Sequence, residues 1–343
     1  MHAIKARENR SIRAAGCRVA LMALMALALT ATPVAVQASA KHRKPRTAPC
    51  AETALAAFKS CQFEVNQEYW LAVGKCSNLS DPEAVGECLE AAREEKKESR
   101  RTCGEQLEAR MQVCSDIGPG PYAPDLQPDH FLDPEEITPA NANPYWPLIA
   151  GNQWVYEGDT EDGVEVITVT VTDAIKEIEY PAESGQTFAC VVVRDVVELD
   201  GEVIEDTLDW YAQDQAGNVW YFGEISKNYE NGELADIQGS WKAGVEGAVP
   251  GIAMTTAPQP GFTYRQEFAL GEAEDMATVL NVGEESVSVP FGDYSDAVLK
   301  TGEYTPITPD GYEHKYYAPG VGMVLEVNPE TGERVELINM TVE

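Results

Sequence analysis

The sequence predicts an α+β protein: a disulfide-stapled antiparallel helical hairpin followed by a large antiparallel β-meander that curls into a barrel or half-barrel. Three observations predict it. Six of the eight cysteines sit in mirror positions about residue 82, a proline-rich stretch follows them, and the last 200 or so residues run in short β-type segments broken by turn dipeptides. A two-sheet sandwich is the alternative arrangement for those strands.

The first forty residues read as a signal peptide. Lys5, Arg7, Arg10, Arg13 and Arg18 precede an apolar run from Val19 to Leu29, and Ala38-Ser39-Ala40 offers small side chains for cleavage. The run is shorter than the roughly 20 apolar residues of a membrane span, so no transmembrane segment is expected in the mature chain, with an uncleaved anchor as the alternative. Residues 41–49 then form a basic mature N-terminus, and the expected location is secreted or periplasmic. The net charge is −32 for the whole chain and −36 without residues 1–40, because five basic residues and one acidic residue leave with the leader. A surface this acidic repels nucleic acid, so none is expected as a partner.

Residues 50–115 carry the hairpin. Cys50, Ala54, Phe58, Cys61, Val65, Tyr69, Ala72 and Cys76 advance by threes and fours and share one helical stripe. Val85, Cys88, Ala92, Ser99, Cys103, Leu107, Met111 and Cys114 form the matching stripe, interrupted by Glu95. Two antiparallel helices then pair Cys50 with Cys114, Cys61 with Cys103 and Cys76 with Cys88. At the mirror axis, Ser80 and Glu83 fit a capping box, while Asp81-Pro82 supplies a second cap. Two helices alone bury too little apolar surface to be stable, and the bridges compensate by restricting the unfolded chain. Disulfides also persist only in an oxidising compartment, in agreement with the leader.

Residues 116–143 read as a stiff proline-rich linker, with seven prolines between Gly118 and Pro144. Residues 144–343 read as the antiparallel β domain, with ten to twelve candidate strands and turns at Asp200-Gly201, Ala216-Gly217, Asn231-Gly232 and Thr331-Gly332. A two-residue turn at Asp200-Gly201 opposes Leu199 to Glu202 and places Val197 with Ile204, Val193 with Leu208 and Val191 with Trp210 on one apolar face. Asp195 then opposes Asp206 on that face. Like charges across a ladder are unfavourable, so a basic residue, a cation or a shared proton is needed there. The other face, with Arg194, Glu205, Asp209, Tyr211 and Gln213, lines a lumen or meets water.

The residues supply little for catalysis. Beyond the leader the histidines are His42, His130 and His314, and neither a Gly-x-Ser-x-Gly elbow nor a metalloprotease, phosphate-loop or calcium-loop pattern occurs. Cys190 lies in a valine-rich strand and reads as a buried small hydrophobe. Asp195, Asp206, Asp209, Tyr211, Arg265, Glu267 and His314 are candidate ligand-binding residues. Asp195, Asp206, Glu274 and Asp275 are candidate oxygen ligands for a calcium ion, the one cofactor considered.

The stretches Asn143–Leu148 with Trp154–Gly158, Asp209–Glu224 (DWYAQDQAGNVWYFGE) and Glu313–Val327 (EHKYYAPGVGMVLEV) resemble a family of exported bacterial β-domain proteins. The resemblance covers residues 143–340 and implies no particular activity. The cysteine hairpin falls outside it, as an added module. In overall shape the β domain is also similar to curved-sheet, lipid-handling periplasmic proteins. The function expected is non-enzymatic binding: the β domain holds a small or apolar ligand or a partner protein. A cation-binding structural protein and a carboxylate-dependent secreted hydrolase are the alternatives, the latter needing only two well-placed carboxyls.

Overall fold

The computed structural model describes residues 48–160 and 162–342; the signal peptide read over residues 1–40 and the basic stretch up to residue 47 lie outside the described residues. Helix α1 spans Pro49–Ser77 and helix α2 spans Pro82–Ile117. Proline opens each helix, where its missing N–H would have had no partner. Asp81 caps α2 by accepting the Glu83 amide at 3.2 Å, so the Asp81-Pro82 pair makes the cap and Ser80 does not. All three expected bridges are present, with Cα–Cα distances of 5.7 Å for Cys50–Cys114, 5.8 Å for Cys61–Cys103 and 5.5 Å for Cys76–Cys88. Ala54, Val65 and Cys76 of α1 are buried with Ala92 and Cys103 of α2 along the two stripes.

Met111 departs from the expected stripe: it is exposed, whereas Arg110 and Val113 are buried. The reason is a second neighbour. The C-terminal turns of α2 rest on the β domain, where Gln106 donates to the Ile307 carbonyl at 2.7 Å and Arg110 meets Glu274. The outer face of α1 leaves Phe63, Trp70 and Leu71 exposed. Ala48 onward forms one compact unit, hairpin and β domain together. Among the described residues no helix is long and apolar enough to cross a membrane.

The proline-rich segment is a strap, not a free spacer. Two short 3-10 turns, Pro128–His130 and Pro134–Glu136, fold it against the β domain. Phe131 meets Phe188, Trp220 and Phe222 with ring centroids 5.1, 6.4 and 6.0 Å away, and its neighbour Leu132 bonds the Gln213 carbonyl through its amide. Leu126 and Ile137 are buried beside it. Prolines here rigidify a chain whose apolar side chains still dock, a contribution that composition alone does not reveal.

The β domain is a single 15-stranded antiparallel sheet, nearly closed into a barrel, plus a two-stranded ribbon. The first half runs β1 (Gln153–Thr160), β2 (Gly163–Glu179), β3 (Thr187–Leu199), β4 (Glu202–Gln213) and β5 (Val219–Glu230), with β6 (Glu233–Asp236) and β7 (Trp241–Lys242) beside β5, then β8 (Val249–Met254). After the short β9 (Thr263–Arg265) and β10 (Glu267–Phe268) come β11 (Met276–Val282), the ribbon β12 (Val287–Val289) and β13 (Gly292–Tyr294), then β14 (Leu299–Thr305), β15 (Thr308–Ala318), β16 (Gly322–Val327) and β17 (Arg334–Thr341). The first strand pairs with the last, Gln153 opposite Thr341.

Closure depends on a corner. β9 pairs with β11 at one edge of the sheet while β10, one residue further on, pairs with β8 at the other edge. Gln266 is the corner, its amide held by the Asp275 carbonyl at 2.8 Å. The chain through 263–268 thereby joins both ends of the sheet. Gly251 lies against it so closely that an added Cβ would come within 2.2 Å of the Gln266 carbonyl oxygen.

Candidate functional site

Inside the barrel the wall is polar and acidic. The expected hairpin turn forms, with Asp200 and Gly201 at φ 51° and 82°, and Leu199 does oppose Glu202. A bulge then intervenes between Val197 and Glu198, so Val197 faces Glu205, Asp195 faces Thr207 and Val193 faces Asp209. The expected Asp195–Asp206 pair is thereby separated onto two faces. Asp206 lies on the outside with Arg194, its Oδ1 accepting from Nε at 2.8 Å, and with Lys227 at 3.7 Å. The Arg194 bond, against a smaller cost of partial burial, holds the Asp206 carboxyl below its usual range. Asp195, Asp209 and Tyr211 share the inner face.

That inner face has two polar centres. Tyr211 stacks on Tyr221 at 4.5 Å, and the Tyr221 hydroxyl bonds Asp209 at 2.5 Å and Glu224 at 2.8 Å. Glu267 accepts from the Trp241 indole N–H at 2.8 Å beside them. On the facing strands, Lys315 is 1 % exposed, with its Nζ 3.3 Å from Glu303, 3.4 Å from Glu326 and 3.9 Å from Glu313. Burial alone would lower the Lys315 pKa, but the three carboxylates outweigh it and hold it well above normal. Burial likewise opposes charge on Glu303, yet Lys315 and hydrogen bonds from Thr301 and Tyr317 (both 2.9 Å) leave its pKa lowered. Glu313 goes the other way, raised well above normal by burial and then by Glu326.

His314, named beforehand, points away from this centre. In a strand, successive side chains take opposite faces, so Lys315 and Tyr317 are inside while His314 is partly exposed against the Tyr312 ring at 5.3 Å. Burial and then Lys300 lower the His314 pKa. Glu274 is claimed by the hairpin: Arg110 forks onto it from Nε and Nη2, and the Gly271 amide adds a bond at 2.9 Å. Asp275 is buried next to it at the corner. Among the described residues no three His, Cys, Asp or Glu side chains converge in a way that could hold a metal ion.

Arg265 is the candidate that gains most. It belongs to β9 and faces outward, beneath the strap, where β8 and β9 approach without pairing. A cavity of about 310 Å³ opens there, walled by Tyr122 and Pro124 of the strap, Trp220 of β5, Ile252 of β8, Phe262 just before β9, and Arg265 itself. Tyr122 fixes the roof, its hydroxyl donating to the Pro250 carbonyl at 3.0 Å. The Arg265 guanidinium lies 4.2 Å over the Phe268 ring and 5.5 Å from Tyr122. It is 6 % exposed, and its Nε and Nη1 have no hydrogen-bond partner. Burial lowers its pKa, with Glu274 and Tyr122 opposing. The cavity walls were invisible as a group in the sequence because they come from four distant segments.

No protein family, curated protein or solved structure matches this chain.

Proposed function

We propose that this is an exported binding protein without catalytic activity of its own, and that its β domain takes a small, largely apolar ligand in the cavity at the barrel seam. The observation that carries this reading is the cavity itself: a concave, aromatic-walled space of about 310 Å³ with the buried cation of Arg265 in its wall, at the low end of the size range of small-molecule sites. The leader and the three disulfides support export. The two polar centres inside the barrel are satisfied largely by neighbouring side chains, which suits a structural interior.

The test is titration of the oxidised protein with a small apolar fluorophore such as naphthalene. Saturable one-to-one binding is expected, and Ile252→Trp, which fills the cavity from β8, should abolish it without lowering the melting temperature. Binding that does not saturate, or that survives the filled cavity, removes the reading.

A further inference from the structure

We infer that the seam cavity selects an anion, a carboxylate on a short apolar chain, and that Arg265 anchors the carboxylate. This rests on ligand binding in that cavity and names the ligand's chemical class.

Arginine stays charged in proteins, and a buried charge without a partner is costly. The cation is nevertheless left in that condition here. Glu274, the carboxylate nearest in charge, is committed to the Arg110 fork and to the Gly271 amide. The rings of Phe268 and Tyr122 engage the faces of the guanidinium, which stabilises the cation but uses none of its N–H bonds. Nε and Nη1 remain without acceptors, and the residue lines the cavity. Nε and Nη1 lie on different edges of the guanidinium, each with Nη2 beside it, so a carboxylate engages one of them together with Nη2, two bonds at once.

The remaining wall fits the remainder of such a ligand. Trp220, Ile252 and Phe262 present apolar surface, and Pro124 adds no backbone donor. The volume equals that of roughly ten water molecules, room for about as many non-hydrogen atoms of a guest. An eight-carbon fatty acid has that size.

The experiment compares one chain with three head groups: octanoate, 1-octanol and octylamine, each titrated calorimetrically into the full oxidised protein at pH 7. Octanoate should bind at least tenfold more tightly than octanol, and octylamine least. In Arg265→Gln the preference should vanish, octanoate falling to the octanol value while octanol is unchanged; Arg265→Lys should retain only part of it. Saturable octanol binding with no gain for octanoate overturns the anion inference while leaving the cavity as a site. A preference that survives Arg265→Gln overturns the role of Arg265. No binding of any of the three overturns the cavity reading and this inference with it. If Arg265→Gln fails to fold, the head-group series on the wild-type protein decides the matter alone.

Discussion

Arg110 of the second helix forks onto Glu274 of the barrel, Nε to Oε2 at 2.9 Å and Nη2 to Oε1 at 2.7 Å, with both side chains nearly excluded from solvent. The pair joins the disulfide module to the β domain. It also ties up Glu274, the carboxylate whose charge acts on Arg265. Removing either partner alone strands a buried charge, so Arg110→Ala or Glu274→Ala should cost about 3–5 kcal/mol in urea unfolding. The apolar double replacement Arg110→Met/Glu274→Leu should recover most of that loss. A single-variant cost under about 1 kcal/mol, the range of exposed pairs, would show that water reaches the pair.

Arg265 should behave in the opposite sense. Because Nε and Nη1 of its guanidinium are buried without hydrogen-bond partners, Arg265→Met in the ligand-free protein is expected to melt at or above the wild-type temperature. Differential scanning calorimetry checks this; a fall of several degrees would mean that stacking on Phe268 outweighs the unpaired charge.

The Lys315 cluster sets a pH dependence whose two arms have opposite signs. Glu303 has a lowered pKa, so its stabilisation is present above the ordinary glutamate range and is lost as pH falls through the lowered value. Glu313 has a raised pKa, so its contribution is full below the ordinary range and is lost as pH rises through the raised value. At pH 7, Glu303→Gln should therefore destabilise by roughly 3–5 kcal/mol, as removal of one partner of a buried pair does. Glu313→Gln, which imitates the protonated acid, should be neutral or stabilising. Thermal melts of both variants from pH 3 to pH 8 would reveal the difference, and equal losses would refute the assignment.

Cys190 should be silent in the native protein. Its thiol is fully buried, and burial followed by Glu177 raises its pKa well above normal. Ellman's reagent should find no reactive thiol at Cys190 until denaturant is added; rapid native labelling would contradict the packing of β3.

Gly251→Ala is expected to be the most damaging conservative change at the seam. Its methyl would meet main chain at the corner, not a side chain free to move. Loss of more than about 2 kcal/mol is expected from such overpacking, together with loss of naphthalene binding.

The hairpin was legible to the level of individual bridges because cysteine spacing and helix period encode the same register. The β domain was legible as a class, and the Asp200-Gly201 turn was read correctly, but not the faces. One inserted residue near Ile204 shifted every β4 side chain beyond it, moving Asp206 outside and Asp209 and Tyr211 inside with Asp195. Nothing in the local sequence marks a bulge that forms because the sheet must curve. Arg265 stands among the candidate ligand-binding residues of the sequence. Its setting was missed, since Glu274 answers to a helix 164 residues away and the cavity walls come from distant segments. Lys315 was overlooked in favour of its neighbour His314, although strand alternation and the glutamates at 303, 313 and 326 carry the signal.

The pairing of the first strand with the last has a kinetic meaning. The strands from β1 to β8 and those from β11 to β17 are mostly joined by short local turns, so each half can assemble early from contacts close in sequence. Completing the ring needs one distant meeting, β1 with β17, because the stretch 263–268 pairs with β8 and β11, which are close to it in sequence. This closure carries the largest loop entropy and is expected last. Until then Lys315 and its carboxylates remain hydrated, so the charged interior is dried only in the final step of folding, after its partners are already in register.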